Sequence, residues 1–196
     1  MNTHAGHEKR LETVYKYFSH HMRTNTAVIV AMLEAIEDGL SDESITQMVM
    51  ESGYLLDVFD RGMSVSFNYL FGKDESSEPE EIEIALLVEV FATNAVTKDG
   101  SCEVDIDIPE NIKVNCEPYS FKSIVQIFLH EAALAAKSGF SVVFSKNTLE
   151  ITPDKSFYEN PPVFAIFSDL LAKHGITLDY DKISIKLRFP DESINS

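Results

Sequence analysis

The chain has 196 residues, 44% of them hydrophobic, which is enough for one large or two small cores and too much for a disordered segment. Its formal charge of −16 divides into −5 over residues 1–72, −4 over 73–81 and −7 over 82–196, so no region is basic. A surface of that sign repels phosphate backbones and anionic lipid, which sets nucleic acid and membrane aside as partners.

The first residues contain no apolar signal-peptide core, and no run approaches the roughly 18 apolar residues of a membrane span, so a cytoplasmic location is expected. His4 and His7 stand at H-x-x-H spacing but without an acidic or thiol pair nearby, and no metal site is expected there. Cys102 and Cys116 are too few and too widely spaced for a disulfide framework or a zinc site and read as reduced strand residues.

The first helix is expected from about Glu8 to Asp38, with Gly39 as its stop and Ser41 as the next N-cap. Within it Leu11, Tyr15, Phe18, Met22, Asn25, Ile29, Met32 and Ile36 recur at alternating steps of four and three, the seam of a helical bundle. At about 100° per residue His20 projects roughly 180° from the centre of that stripe and His21 roughly 70° from it. A histidine on a polar helix face is ordinarily just solvated, and a flanking one ordinarily packs or hydrogen-bonds. What distinguishes His20 is its surroundings: Thr24 one turn on, Thr13 and Lys16 before it, and Arg23, Ala27 and Ala31 following, small or polar side chains that leave a face open to a docking partner. An exposed, neutral imidazole can attack a phosphoryl group, so His20 is the candidate acceptor.

A second long helix carries the stripe Ile45, Met48, Val49, Ser52, Leu55, Leu56, Phe59, Met63, Tyr69 and Leu70 and ends at about Phe71, closing an antiparallel hairpin over residues 1–72. Two helices alone leave one side of each seam in water. Self-association into a four-helix bundle, and hence a homodimer, is the expected remedy. Residues 73–81, charged and without periodicity, read as a linker.

Residues 82–190 change to an α+β pattern, with 191–196 as a tail. Helices are expected at Ile82–Val96, Tyr119–Lys137 and Pro162–His174, the last stopped by Gly175. Strands are expected at Cys102–Ile108, Ile112–Cys116, Phe140–Ser145, Thr148–Ile151, Ile176–Tyr180 and Ile183–Phe189. The turns Lys146–Asn147 and Asp181–Lys182 make hairpins, giving three helices over a mostly antiparallel sheet.

This order resembles the catalytic core of bacterial sensor histidine kinases. Phe18-Ser19-His20-His21-Met22-Arg23-Thr24-Asn25 matches the family's F-S-H-E-L-R-T-P box at Phe, Ser, His, Arg and Thr. The resemblance implies that His20 is the phosphorylated histidine and that Thr24 is the polar residue able to orient a water for dephosphorylating the partner. Two positions depart from the box. His21 replaces the acidic base that assists autophosphorylation, and Asn25 replaces the proline that bends the helix.

Cys116-Glu117-Pro118-Tyr119 and Leu170–Leu178 look like the entry and exit of the family's ATP-binding domain, but the nucleotide site between them is degenerate. The helix that should carry a metal-binding asparagine has Glu131 nearest that position, where a solvated glutamate is the ordinary reading. The D-x-G-x-G turn and glycine-rich lid are replaced by Thr152–Pro162, which holds three prolines and no glycine. Asp154 is the only candidate for a remnant of the adenine-reading carboxylate, and an exposed turn aspartate is the ordinary reading there too.

A retained phosphoacceptor without nucleotide chemistry looks like the dimeric histidine phosphotransferases, which shuttle phosphoryl groups between response-regulator receiver domains. The short stretch before the first helix, without a sensor or anchor, agrees with that role. The expected function is therefore a phosphorelay through His20, with no cofactor of its own and Mg²⁺ on the partner receiver. The alternatives are a non-catalytic pseudokinase dimer that regulates a receiver or kinase, and a receiver phosphatase using Thr24.

Overall fold

The computed structural model of the protein describes residues 3–18, 23–37, 42–71, 78–92, 96–97, 100–154 and 163–195. Its N-terminal part holds helices α1 (Thr3–Tyr17), α2 (Arg23–Glu37) and α3 (Asp42–Phe71). α3 runs antiparallel to the other two. Near one end the Ser52 hydroxyl donates to the Met32 sulfur at 3.4 Å, and near the other the Arg10 guanidinium lies over the Tyr69 ring at 5.3 Å. The expected hairpin is thus present, with its first helix beginning at Thr3 rather than Glu8.

The seam of that hairpin differs from the stripe read in the sequence. On α2 the stripe holds, with Ile29 buried and Met32 and Ile36 half-buried. On α1 it does not: Leu11 and Tyr15 are exposed, Tyr15 to 64%, whereas Val14 and Tyr17 are buried. On α3 the most deeply buried apolar residues are Val58 and Val65, neither of them in the expected stripe. The physical reason is a second partner, because α3 and α1 pack not only on each other but also on helices of the following domain.

That domain is a two-layer sandwich. Strands β1 (Glu80–Glu83), β2 (Val96–Thr97), β3 (Gly100–Ser101), β4 (Glu103–Asp107), β5 (Lys113–Cys116), β6 (Gly139–Ser145), β7 (Thr148–Pro153), β8 (Thr177–Tyr180), β9 (Ile185–Arg188) and β10 (Ile194–Asn195) interleave with α4 (Ile84–Ala92), α5 (Pro118–Ala135) and α6 (Val163–Ala172). The main sheet has the order β4-β6-β7-β9-β8, with β4 and β6 parallel and the other pairs antiparallel. Its inner face, Phe140, Val142, Phe144, Leu149, Ile151, Ile185 and Leu187, is buried beneath α5 and α6. The α+β expectation holds.

Local chemistry sets the joints. The Glu117 carboxylate accepts from Tyr119 N at 2.9 Å and Ser120 N at 2.7 Å, capping α5 with Pro118 at its first turn. Lys146 and Asn147 both take positive φ, 47° and 60°, as a two-residue hairpin with primed twist requires. Gly175, at φ 72°, lets Ile176 N reach back to the Leu171 carbonyl at 3.1 Å and ends α6. Gly139 opens β6 so close to β4 that a Cβ there would run into the Glu103 carbonyl oxygen.

Two expectations are corrected. Residues Glu80–Glu83, divided in the sequence reading between the 73–81 linker and the helix Ile82–Val96, form a strand antiparallel to β5, and α4 occupies only Ile84–Ala92. Within the expected 191–196 tail, Asp191–Ser193 makes a 3-10 turn and Ile194–Asn195 pairs with the other edge of β5. The resulting small sheet, β1-β5-β10, pins the beginning and end of the domain together.

Hairpin and sandwich share one hydrophobic core: Val14, Tyr17, Val58, Val65 and Tyr69 are contiguous with the sandwich residues Phe128, Phe164 and Phe167. Fully burying side chains of this size contributes roughly 1.5–3 kcal/mol each. The junction is therefore a packed interface rather than a tether.

Candidate functional site

His20 lies outside the described residues, together with Ser19, His21 and Met22. The residues on either side are described. Phe18 directly follows α1 with its ring edge-on to Tyr17 at 5.8 Å, and Thr24 falls in the first turn of α2. Between these elements runs a groove of about 600 Å³. Tyr15 of α1, Phe18 just beyond it and Phe59 of α3 line it, as do Arg23, Thr26, Ala27, Val30, Ala31 and Glu34 of α2.

Three of the five docking candidates, Arg23, Ala27 and Ala31, thus come together on a largely apolar groove between α1 and α2. Thr13 and Lys16 stand apart from it: the Thr13 hydroxyl donates to the Lys9 carbonyl at 2.9 Å, and Lys16 pairs with Glu12 at 2.7 Å. The sequence reading missed the aromatic wall, because Tyr15 and Phe18 were both assigned to the buried seam.

On the sandwich side, α5 packs against α3 of the hairpin. Gln126 Nε2 donates to Asp57 Oδ2 of α3 at 2.6 Å, and the His130 ring meets Tyr54 edge-on at 5.6 Å. Arg61 Nε donates to the same Asp57 oxygen at 3.0 Å. Burial pushes the Tyr17 and Tyr54 phenols well above their ordinary range, and the Glu131 carboxylate near both adds to it. The Tyr54 hydroxyl and Gln126 Oε1 are buried in this seam with no hydrogen-bond partner among the described residues.

Asp154, at the end of β7, is fully engaged. Its carboxylate accepts from the Ser138 hydroxyl at 2.6 Å and from the backbone N–H groups of Lys137, Ser138 and Gly139 at 2.6, 2.9 and 3.3 Å. These donors, the Ser138 hydroxyl foremost, hold its pKa down to about 2. The side chain fastens the turn between α5 and β6, which is the turn-aspartate reading.

Comparison with known proteins follows this geometry. No protein-family model and no curated protein matches the chain. Among solved structures, the cytoplasmic segment of histidine kinase QseC superposes at TM-score 0.59 over 72% of this chain and 94% of its own, at 11% identity. This is a histidine kinase fold. The Acinetobacter baumannii histidine kinase AdeS agrees at TM-score 0.50 and 12% identity, covering 88% of this chain and 98% of its own. The histidine-kinase resemblance read from the order of elements is therefore matched in the fold. No helix among the described residues is long and apolar enough to cross a membrane.

Proposed function

We propose that the protein is a phosphorelay histidine phosphotransferase acting through His20. Two observations support this reading: the histidine box Phe18–Asn25 in the sequence and the likeness of the fold to a histidine kinase segment. The state of the second domain supports it. Its α5 packs on the hairpin through Gln126 and Asp57, and Asp154 is tied into a turn by Ser138.

In the forward step His20 Nε2 attacks the phosphorus of a receiver's aspartyl phosphate. The N–P bond forms as the P–O bond to the aspartate breaks, and the receiver leaves with a free carboxylate. The return step is the reverse, onto the aspartate of a second receiver. The chain supplies position and exposure, while the receiver's own Mg²⁺ neutralises charge on the transferred group. The Arg23, Ala27 and Ala31 wall is the docking surface, in a cytoplasmic homodimer.

Incubation with a radiolabelled phospho-receiver tests the reading. Wild type takes acid-labile label and His20→Ala takes none; equal label on both, or on neither, overturns it. A receiver phosphatase gives a different pattern, with loss of activity in Thr24→Ala and no label on His20 at any time.

A further inference from the structure

An unbroken run of aromatic rings leads from the groove into the sandwich. Phe18 lines the groove and meets Tyr17 at 5.8 Å; Tyr17 meets Phe167 of α6 edge-on at 6.5 Å; and Phe167 meets Phe128 of α5 at 5.2 Å. Phe128 continues to Phe164 at 5.7 Å. Tyr17, Phe128, Phe164 and Phe167 are all essentially inaccessible to water. Aromatic rings have few rotamers, and a close-packed interior transmits a displacement rather than absorbing it. Tyr17 stands three residues before His20, so the sandwich core grips the last turn of the helix from which the chain enters the phosphoacceptor segment.

Resting on the reading of His20 as phosphoryl acceptor, we propose that Tyr17 and Phe167 are positioning residues: through them the sandwich fixes the end of α1 relative to the groove on which the receiver docks. The sandwich domain is then part of the transfer apparatus. In-line attack on phosphorus tolerates little misplacement, and an error of about 1 Å costs on the order of a hundredfold in rate.

The test uses the full chain with a phospho-receiver donor, and combines single-turnover transfer at saturating and sub-saturating receiver with amide exchange over residues 10–18. Phe167→Leu and Tyr17→Leu are expected to lower the saturated transfer rate about tenfold or more, leave the half-saturating receiver concentration within about twofold, and raise exchange at the end of α1. Tyr17→Phe keeps the ring and restores wild-type behaviour. Phe144→Leu, a buried truncation against Phe189 on another part of the sheet, does neither. Phe167→Met replaces Phe167→Leu where that variant does not fold.

Unchanged transfer in a folded Phe167 variant overturns the proposal, as does an equal effect of Phe144→Leu. If wild type itself takes no label, the reading of His20 has failed instead. Exchange at α1 then decides alone whether the sandwich grips the helix, and unchanged exchange overturns that as well.

Discussion

At the scale of single residues, the carboxylate of Asp154 is a structural part that fastens the turn between α5 and β6. Four donors from Lys137, Ser138 and Gly139 stabilise its ionised form, so its pKa is about 2 in the folded chain against an ordinary 3.8. The folded value is the lower one, so its contribution to stability is complete above about pH 4 and is lost as the pH falls toward 2. Asp154→Asn is therefore expected to melt below wild type at neutral pH, with the gap closing over that window, as thermal unfolding across a pH series will record. Tyr54 makes the opposite prediction. Its hydroxyl is buried without a partner among the described residues, so Tyr54→Phe removes a desolvated dipole and should leave the melting temperature unchanged or higher. A drop of more than about 1 kcal/mol in chemical unfolding would mean that the hydroxyl is satisfied.

At the scale of elements, much of the second domain was legible because its signals are local. Glu117-Pro118 marks the start of α5, Lys146-Asn147 turns β6 into β7, and Gly175 ends α6, each by backbone geometry that only a few residue types permit. The strands β1 and β10 were not legible. In Glu80-Glu81-Ile82-Glu83 a single apolar residue faces inward among three charges, and Ile194-Asn195 is too short to show alternation; both exist because β5 offers two open edges. The hairpin helices were found, but not all of their buried faces. Periodicity finds a helix and its apolar stripe, but it cannot say how many neighbours the helix has, and Val14, Tyr17, Val58 and Val65 are buried in a core shared with the sandwich. Val65, 1% exposed, should therefore behave as a core residue, and Val65→Ala is expected to cost on the order of 2 kcal/mol in urea unfolding. Val90→Ala, at a position 52% exposed on α4, should fall within about 0.5 kcal/mol of wild type.

At the scale of the whole molecule, hairpin and sandwich form one packed body with an apolar surface left over. Leu33 of α2 and Val49 and Leu56 of α3 remain exposed after the sandwich has covered its share of the hairpin. Exposed apolar side chains of this size on a paired-helix scaffold fit the proposed homodimer, in which a second hairpin completes a four-helix bundle. Leu33→Glu combined with Leu56→Glu should shift the sedimenting species from dimer to monomer while leaving the secondary structure intact; an unchanged sedimentation coefficient would place the interface elsewhere.

The fold is that of a histidine kinase, and the proposed function places its chemistry on His20. The most direct measurement is site-resolved mass spectrometry, at neutral to basic pH, of the protein after exposure to a phospho-receiver without nucleotide. The expected result is a phosphoryl group on His20 that disappears when a second, unphosphorylated receiver is added. A phosphoryl group on another residue, or phosphorylation of His20 only when ATP is supplied, would contradict the account.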